Sequence, residues 1–116
     1  MTTLQEQFEK DFPDKRAKEV IVPDFKYLNS NFTNYDLDLR QHFNLERLNL
    51  RGGKITSISL FRSKNLTILN LDDNNLTSVD FLSALPNPEK LEELTISNNR
   101  IQPISNKIRN SLDLKC

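Results

Sequence analysis

Residues 65–76 read NLTILNLDDNNL, and the spacing of the apolar side chains in this stretch decides the fold. The apolar and asparagine positions are Leu66, Leu69, Leu71, Asn74 and Leu76. Leu69 and Leu71 are separated by one residue, so on a β-strand both side chains point to the same side. Asn74 follows where the chain must turn, and its amide has the donors and the acceptor that turn backbone groups need. The stretch therefore predicts a short strand and a turn held by an asparagine.

The same pattern recurs along the chain. A second strict copy consists of Leu91, Leu94, Ile96, Asn99 and Ile101, and a third, with glycine in place of asparagine, of Leu45, Leu48, Leu50, Gly53 and Ile55. A fainter copy consists of Val22, Phe25, Tyr27, Ser30 and Phe32. The starts near 22, 45, 66 and 91 fall at a spacing that is typical of repeat arrays with one strand per repeat.

The motifs NLERLNLRGGKI, NLTILNLDDNNL and KLEELTISNNRI resemble the leucine-rich-repeat family, and the resemblance covers about residues 19–104. The short return segments look most like intracellular SDS22-like or irregular repeats. Residues 81–99, FLSALPNPEKLEELTISNN, are similar to repeats of fungal proteins. The resemblance implies an α/β solenoid, a curved array with a parallel sheet of short strands on its concave face. It also implies a protein-binding module rather than an enzyme.

Residues 1–19 are predicted to form an N-terminal helical cap over the exposed end of the array. One helical face carries Leu4, Phe8 and Phe12. Thr3 and Glu6 have the spacing of a capping box, and Pro13 should end the helix. The alternative is an amphipathic helix that binds a partner, and burial of Phe8 would favour the cap.

Residues 20–104 are assigned to about four repeats, with returns across the convex side. The apolar residues expected to cover the core there are Ile58, Leu60, Val79, Phe81, Leu82 and Leu85. Residues 81–85 should make a short helical turn that ends before Pro86. Residues 105–116 are either an irregular C-terminal cap or a truncated repeat, because Leu112 and Leu114 begin another strand pattern.

Composition excludes several classes of function. The 16 basic and 16 acidic residues cancel, which disfavours a general nucleic-acid role. No apolar stretch approaches ~20 residues, and the residues after Met1 are too charged for a signal peptide. The single cysteine, Cys116, cannot form an internal disulfide. We therefore expect a monomer in the cytoplasm, with the nucleus as the alternative.

No pattern of catalytic, metal-ligating or cofactor-binding residues is found in the sequence. His42 is the only histidine, and we expect an ordinary loop residue there. Asp72, Asp73 and Asp80 lack the spacing of a calcium loop, and the glycine pair at 52–53 is not followed by a phosphate-binding lysine. We expect no catalytic site, no metal and no cofactor.

The outward side of the predicted strands is the expected partner-binding surface. Its candidate residues are Arg47, Asn49, Arg51, Ile68, Asn70, Asp72, Glu93 and Thr95, with Asp24, Lys26 and Leu28 at the same places in the first repeat. Ile68 is apolar between charged neighbours, which suits a protein partner. Asn74 and Asn99 are predicted to be structural ladder residues instead.

Alternatives stay open. A single exposed isoleucine is ordinary, and charges of neighbouring repeats can simply pair. The basic repeat could bind an acidic peptide or weakly bind RNA through Arg47, Arg51, Lys54, Arg62 and Lys64. The chain could also be a fragment of a larger repeat protein, either a regulatory array beside an enzyme or a receptor ectodomain glycosylated at Asn31, Asn65 and Asn75.

Overall fold

The computed structural model describes residues 2–101, so the prediction for residues 105–116 lies outside the described residues. The six strands are β1 (Glu19–Ile21), β2 (Asp36–Asp38), β3 (Arg47–Asn49), β4 (Ser57–Ser59), β5 (Ile68–Asn70) and β6 (Glu93–Thr95). The helical segments are α1 (Leu4–Asp11), α2 (Asp80–Ser83) and a 3₁₀ turn (Pro88–Lys90). Within residues 2–101 none of these helices has the length and apolar character needed to cross a membrane.

Four strands form a parallel sheet in the order β1-β3-β5-β6. Leu48 pairs with Leu69, and Leu69 pairs with Leu94, so equivalent leucines of successive repeats are neighbours. The middle residue of each strand is buried and its two neighbours are not, as expected for strands with one side on a core. The repeat register predicted for starts 45, 66 and 91 is the one that the structure has.

The return segments contain a second parallel sheet of two strands, β2 and β4. Leu37 pairs with Ile58, and both are buried in the same apolar cluster as the leucines of the first sheet. Ile58 and Leu60 cover the core as predicted, but the strand to which Ile58 belongs was not predicted. The short helical turn predicted at 81–85 is α2, which begins one residue earlier and buries Phe81 and Leu82.

The first repeat starts five residues earlier than predicted. In the sheet Val20 pairs with Leu48, and the amide of Val22 donates to the Asn49 carbonyl at 3.0 Å. Val20 thus takes the place that Leu48 has in the next repeat, which starts three residues earlier at Leu45. By the same count the first repeat starts at Ala17 instead of Val22. The error arose because Phe25-x-Tyr27 and Val20-x-Val22 have the same alternation, and pairing with β3 is what selects the valines.

Residues 24–29 form a turn, and this turn contains Asp24, Lys26 and Leu28, which were predicted to lie on a strand. Phe25 adopts a φ of 59°, and its ring lies against Gly52, where any Cβ would overlap it. Asp24, Lys26 and Leu28 therefore do not stand on the sheet, contrary to the sequence-based assignment. Gly52 itself has a φ of 72°, a backbone conformation that other residues rarely adopt. Glycine is therefore required at this position for two reasons, the positive φ and the space that the Phe25 ring occupies.

The N-terminal helix caps the first repeat. Thr3 and Glu6 make the reciprocal hydrogen bonds of a capping box, and the helix ends at Asp11, two residues before Pro13. Phe8 is fully buried in the core cluster, which favours the cap over a partner-binding helix. Gln5 ties the helix to β2, because its side chain donates to the Asp38 carbonyl at 2.9 Å.

Candidate protein-binding face

The outward side chains of the four-stranded sheet form one surface, which we call the strand face. Since the middle residue of each strand is buried, the residues on either side of it point outward. The parallel register aligns these side chains in two rows, Glu19–Arg47–Ile68–Glu93 and Ile21–Asn49–Asn70–Thr95. The rows thus bring together six of the candidate residues chosen from the sequence, namely Arg47, Asn49, Ile68, Asn70, Glu93 and Thr95.

Sequence reasoning missed Glu19 and Ile21 on this face, because the wrong register gave their places to Asp24 and Lys26. Ile21 is the apolar one of the two. Its side chain is 54 % exposed, the largest value among the exposed large apolar residues. The alternation of Val20 and Val22 was the available signal, since two buried valines leave the residue between them pointing outward.

Arg47 is the free cation of the first row. It lies between Glu19 and Ile68 on neighbouring strands, which are about 4.8 Å apart in such sheets. The side chain is exposed and forms no ion pair within residues 2–101. Arg47 is therefore available to a partner's carboxylate next to an isoleucine, while Glu93 offers the opposite charge on the far side of Ile68.

Asn49 and Asn70 shape the ends of β3 and β5. Each side-chain oxygen accepts a hydrogen bond from the backbone amide two residues further on, Arg51 at 3.0 Å and Asp72 at 2.9 Å. Within residues 2–101 neither Nδ2 group donates a hydrogen bond. The side-chain oxygens of Asn49 and Asn70 therefore stabilise the chain after each strand, while their NH2 groups are left to donate hydrogen bonds to a partner on the strand face.

Arg51 is engaged within the chain. Its Nε donates to Asp73 at 2.9 Å, Nη1 lies 3.3 Å from an Asp24 carboxylate oxygen, and the guanidinium lies 5.4 Å from the ring centre of Phe25. The hydrogen bond from Arg51 holds the pKa of Asp73 below its ordinary value, and the pKa of Arg51 is raised in turn. Charges of adjacent repeats thus pair at this position, so Arg51 is less available to a partner than Arg47.

A shallow cavity of about 250 Å³ lies on the strand face. Its lining includes exposed Ile21, half-buried Ile68 and most of the polar candidates, namely Arg47, Asn49, Asn70, Asp72, Glu93 and Thr95. Thr95 Oγ1 is buried and has no hydrogen-bond partner within the described part of the chain. Asp72 is partly used, because its Oδ1 accepts from the Ser97 amide at 2.7 Å. The cavity therefore combines apolar contact area with unused polar groups.

Asn74 and Asn99 lie outside this cavity and bind backbone groups of neighbouring repeats. The Asn74 oxygen accepts from the amides of Gly53 and Ile55, both at 2.9 Å, and its nitrogen donates to three carbonyls. The Asn99 oxygen accepts from the Leu76 amide at 3.0 Å. In the preceding repeat Gly53 makes room, since a Cβ there would lie 3.3 Å from the Asn74 oxygen.

A match to a known protein family also supports the repeat fold. The family model described as Leucine Rich repeats (2 copies) matches residues 43–84 and 64–115, together more than half of the chain. The chain belongs to the leucine-rich-repeat family. Neither the curated proteins nor the solved structures contain a match to it. Leucine-rich repeats commonly mediate protein–protein interaction and are generally binding modules rather than enzymes.

The basic residues of the second leucine-rich repeat do not gather on one side. Arg47 stands on the strand face, Arg51 is paired with aspartates, and Lys54 lies 5.9 Å from the ring centre of Tyr35. Arg62 and Lys64 follow β4 in the return segment. These five basic residues therefore do not form one continuous basic surface.

His42 lies in the turn after β2, as expected for a loop residue, and its side chain is buried beneath the cap. Its Nε2 donates to the Phe12 carbonyl at 3.1 Å, and its ring meets that of Phe8 edge-on at 5.4 Å. The contact arises between residues 30 positions apart, which the spacing of apolar residues could not reveal. Within residues 2–101 no cluster of three or more histidine, cysteine, aspartate or glutamate side chains is arranged to hold a metal ion.

Proposed function

We propose that this leucine-rich-repeat protein binds another protein on the strand face, and that it acts as a binding module rather than an enzyme. The observation that carries the proposal is the cavity between β1 and β6, where exposed Ile21 and half-buried Ile68 adjoin the unpaired Arg47. Apolar anchors beside free charges are typical of protein-binding surfaces.

The rows of side chains suggest the chemistry of the partner. Ile21 and Ile68 offer apolar contact, while Arg47 and Glu93 lie on opposite sides of Ile68 with opposite charge. A partner with an apolar side chain between an acidic and a basic one would complement both charges.

The proposal is tested by affinity capture with the purified full chain and with the variants Ile68→Asp and Arg47→Glu. Neither side chain is in the buried core, so both variants should keep the circular-dichroism spectrum and the melting temperature of the parent. Capture of a specific partner should weaken at least about tenfold, or ~1.4 kcal/mol.

The matched control is Arg16→Glu, which makes the same charge change at an exposed residue between α1 and β1. It should leave capture unchanged. If the partner binds both strand-face variants as tightly as the parent, or if Arg16→Glu weakens binding equally, the strand face is not the binding site.

A further inference from the structure

We propose that the chain has a second protein-binding surface, on the turns after β2 and β4, that takes an acidic segment with interspersed apolar side chains. The surface consists of Arg40, Phe43, Phe61 and Arg62, and we call it the arginine–phenylalanine patch. Since these residues belong to the return segments, the patch is separate from the strand face and does not depend on the function proposed above.

The patch is built by two equivalent turns of consecutive repeats. The amide of His42 donates to the Leu39 carbonyl and that of Ser63 to the Leu60 carbonyl, both at 3.0 Å, so the two turns have the same form. Their parallel strands place the residues after Leu39 beside the residues after Leu60. Side chains 19 and 21 positions apart in sequence are thereby brought together.

Two contacts between an arginine and a phenylalanine hold the patch together. The guanidinium of Arg40 lies 5.7 Å from the ring centre of Phe61, and that of Arg62 lies 5.5 Å from the ring centre of Phe43. Each contact thus joins one turn to the next. Although an arginine covers part of each ring, Phe43 is still 37 % exposed and Phe61 44 % exposed. Two phenylalanines that remain this exposed on adjacent turns provide apolar anchors for a partner.

The charge of the patch indicates what kind of partner it fits. Asp38 accepts a hydrogen bond from Arg40 Nε at 2.7 Å and neutralises that guanidinium. Arg62 forms no ion pair within residues 2–101. A planar guanidinium that lies on a ring still presents its N–H groups at the edge, where a carboxylate can accept two of them. An acidic side chain next to an apolar one is therefore the complement.

A protein segment fits better than a nucleic acid. Neutralising a run of phosphates requires several cations along a line, whereas Arg62 is the one arginine of the patch without an ion pair within residues 2–101. Base stacking needs open aromatic faces, but each ring already has a guanidinium against it. The equal numbers of acidic and basic residues in the chain add no attraction for phosphates.

The test uses the full chain and two fluorescent probe peptides, one with Glu and Asp interspersed with Leu and Phe, the other with Gln and Asn in place of the acids. Fluorescence anisotropy should show binding of the acidic peptide only. Arg62→Glu and the double change Phe43→Ser with Phe61→Ser should each weaken that binding at least about tenfold. Added salt should weaken it too, since the charges are exposed.

Arg16→Glu is the matched control, because it reverses one exposed arginine outside both surfaces and should leave peptide binding unchanged. Arg47→Glu tests whether the peptide binds on the strand face instead. Melting curves of all variants should match the parent, since none of the changed side chains belongs to the buried core. Equal binding of both peptides, no binding of either, or loss with Arg47→Glu alone would overturn the proposal. Binding of an oligouridylate probe in place of the acidic peptide would overturn it in favour of RNA.

Discussion

Replacing Asn74 with alanine should destabilise the repeat array far more than the same change at the next residue, Asn75. Within residues 2–101 the Asn74 side chain is the only hydrogen-bond partner of three backbone groups, namely the amides of Gly53 and Ile55 and the carbonyl of Leu50. The carbonyls of Leu71 and Asp72 keep other donors after the substitution, Asn99 at 2.9 Å and the Gly52 amide at 2.9 Å respectively.

The magnitude follows from these three groups. Each buried group that loses its partner costs about 1 kcal/mol or more, so Asn74→Ala should lower the free energy of unfolding by about 3 kcal/mol. That is a large part of a typical total of ~5–15 kcal/mol. Asn75 is half-buried and its side chain forms no hydrogen bond within the described residues, so Asn75→Ala should change stability by less than about 0.5 kcal/mol.

Urea unfolding followed by circular dichroism measures both variants, with the slope of the transition as a check on cooperativity. Equal midpoints for Asn74→Ala and Asn75→Ala would refute the argument, because they would show that the amide of Asn74 is not what satisfies the turn. A slope that changes with Asn74→Ala alone would instead indicate that the repeats no longer unfold together.

Three further results are expected. Leu69→Asp should abolish cooperative thermal melting, because it places a carboxylate in a fully buried position; a normal melt would show that Leu69 is not in the core. Gly52→Ala should lower the free energy of unfolding by about 1–3 kcal/mol in urea titrations, since the backbone φ is positive and Phe25 is in the way. Adding Phe25→Ala should restore part of that loss, and no restoration would exclude the steric part. The hydrogen bond from Arg51 lowers the pKa of Asp73. The stabilisation that ionised Asp73 gives the folded chain is therefore fully present above the pKa of the unfolded state, ~4, and is lost as the pH falls below that value. Asp73→Asn should therefore lower stability at neutral pH and reduce its dependence on pH in acid, and an unchanged acid dependence would contradict this.

The last three repeats could be predicted because their pattern is local. Leu48, Leu69 and Leu94 each stand in the same short motif, and one register satisfies all three strands. The capping box at Thr3 and Glu6 is local as well, because its residues are three positions apart. Patterns of this kind follow from the period of a strand or a helix, and these are properties of the chain itself.

The register of the first repeat depended on tertiary contacts. Two alternating pairs, Val20 with Val22 and Phe25 with Tyr27, both satisfied the period of a strand, and pairing with β3 decided between them. This choice also placed Ile21 on the strand face. Buried and exposed residues alternate along a strand, so a wrong register assigns the wrong side chains to the exposed surface.

The sequence by itself therefore determined the repeat, the three later strands, the asparagine turns and the capping helix, since each rests on residues close together in the chain. Only the tertiary structure decided which charges are paired, as with Arg51 and Asp73, and which are free, as with Arg47. It also brought Phe43 to Arg62 and buried His42 under Phe8. These contacts join different repeats or the cap to a repeat, and their partners are set by strand register and stacking rather than by any local period.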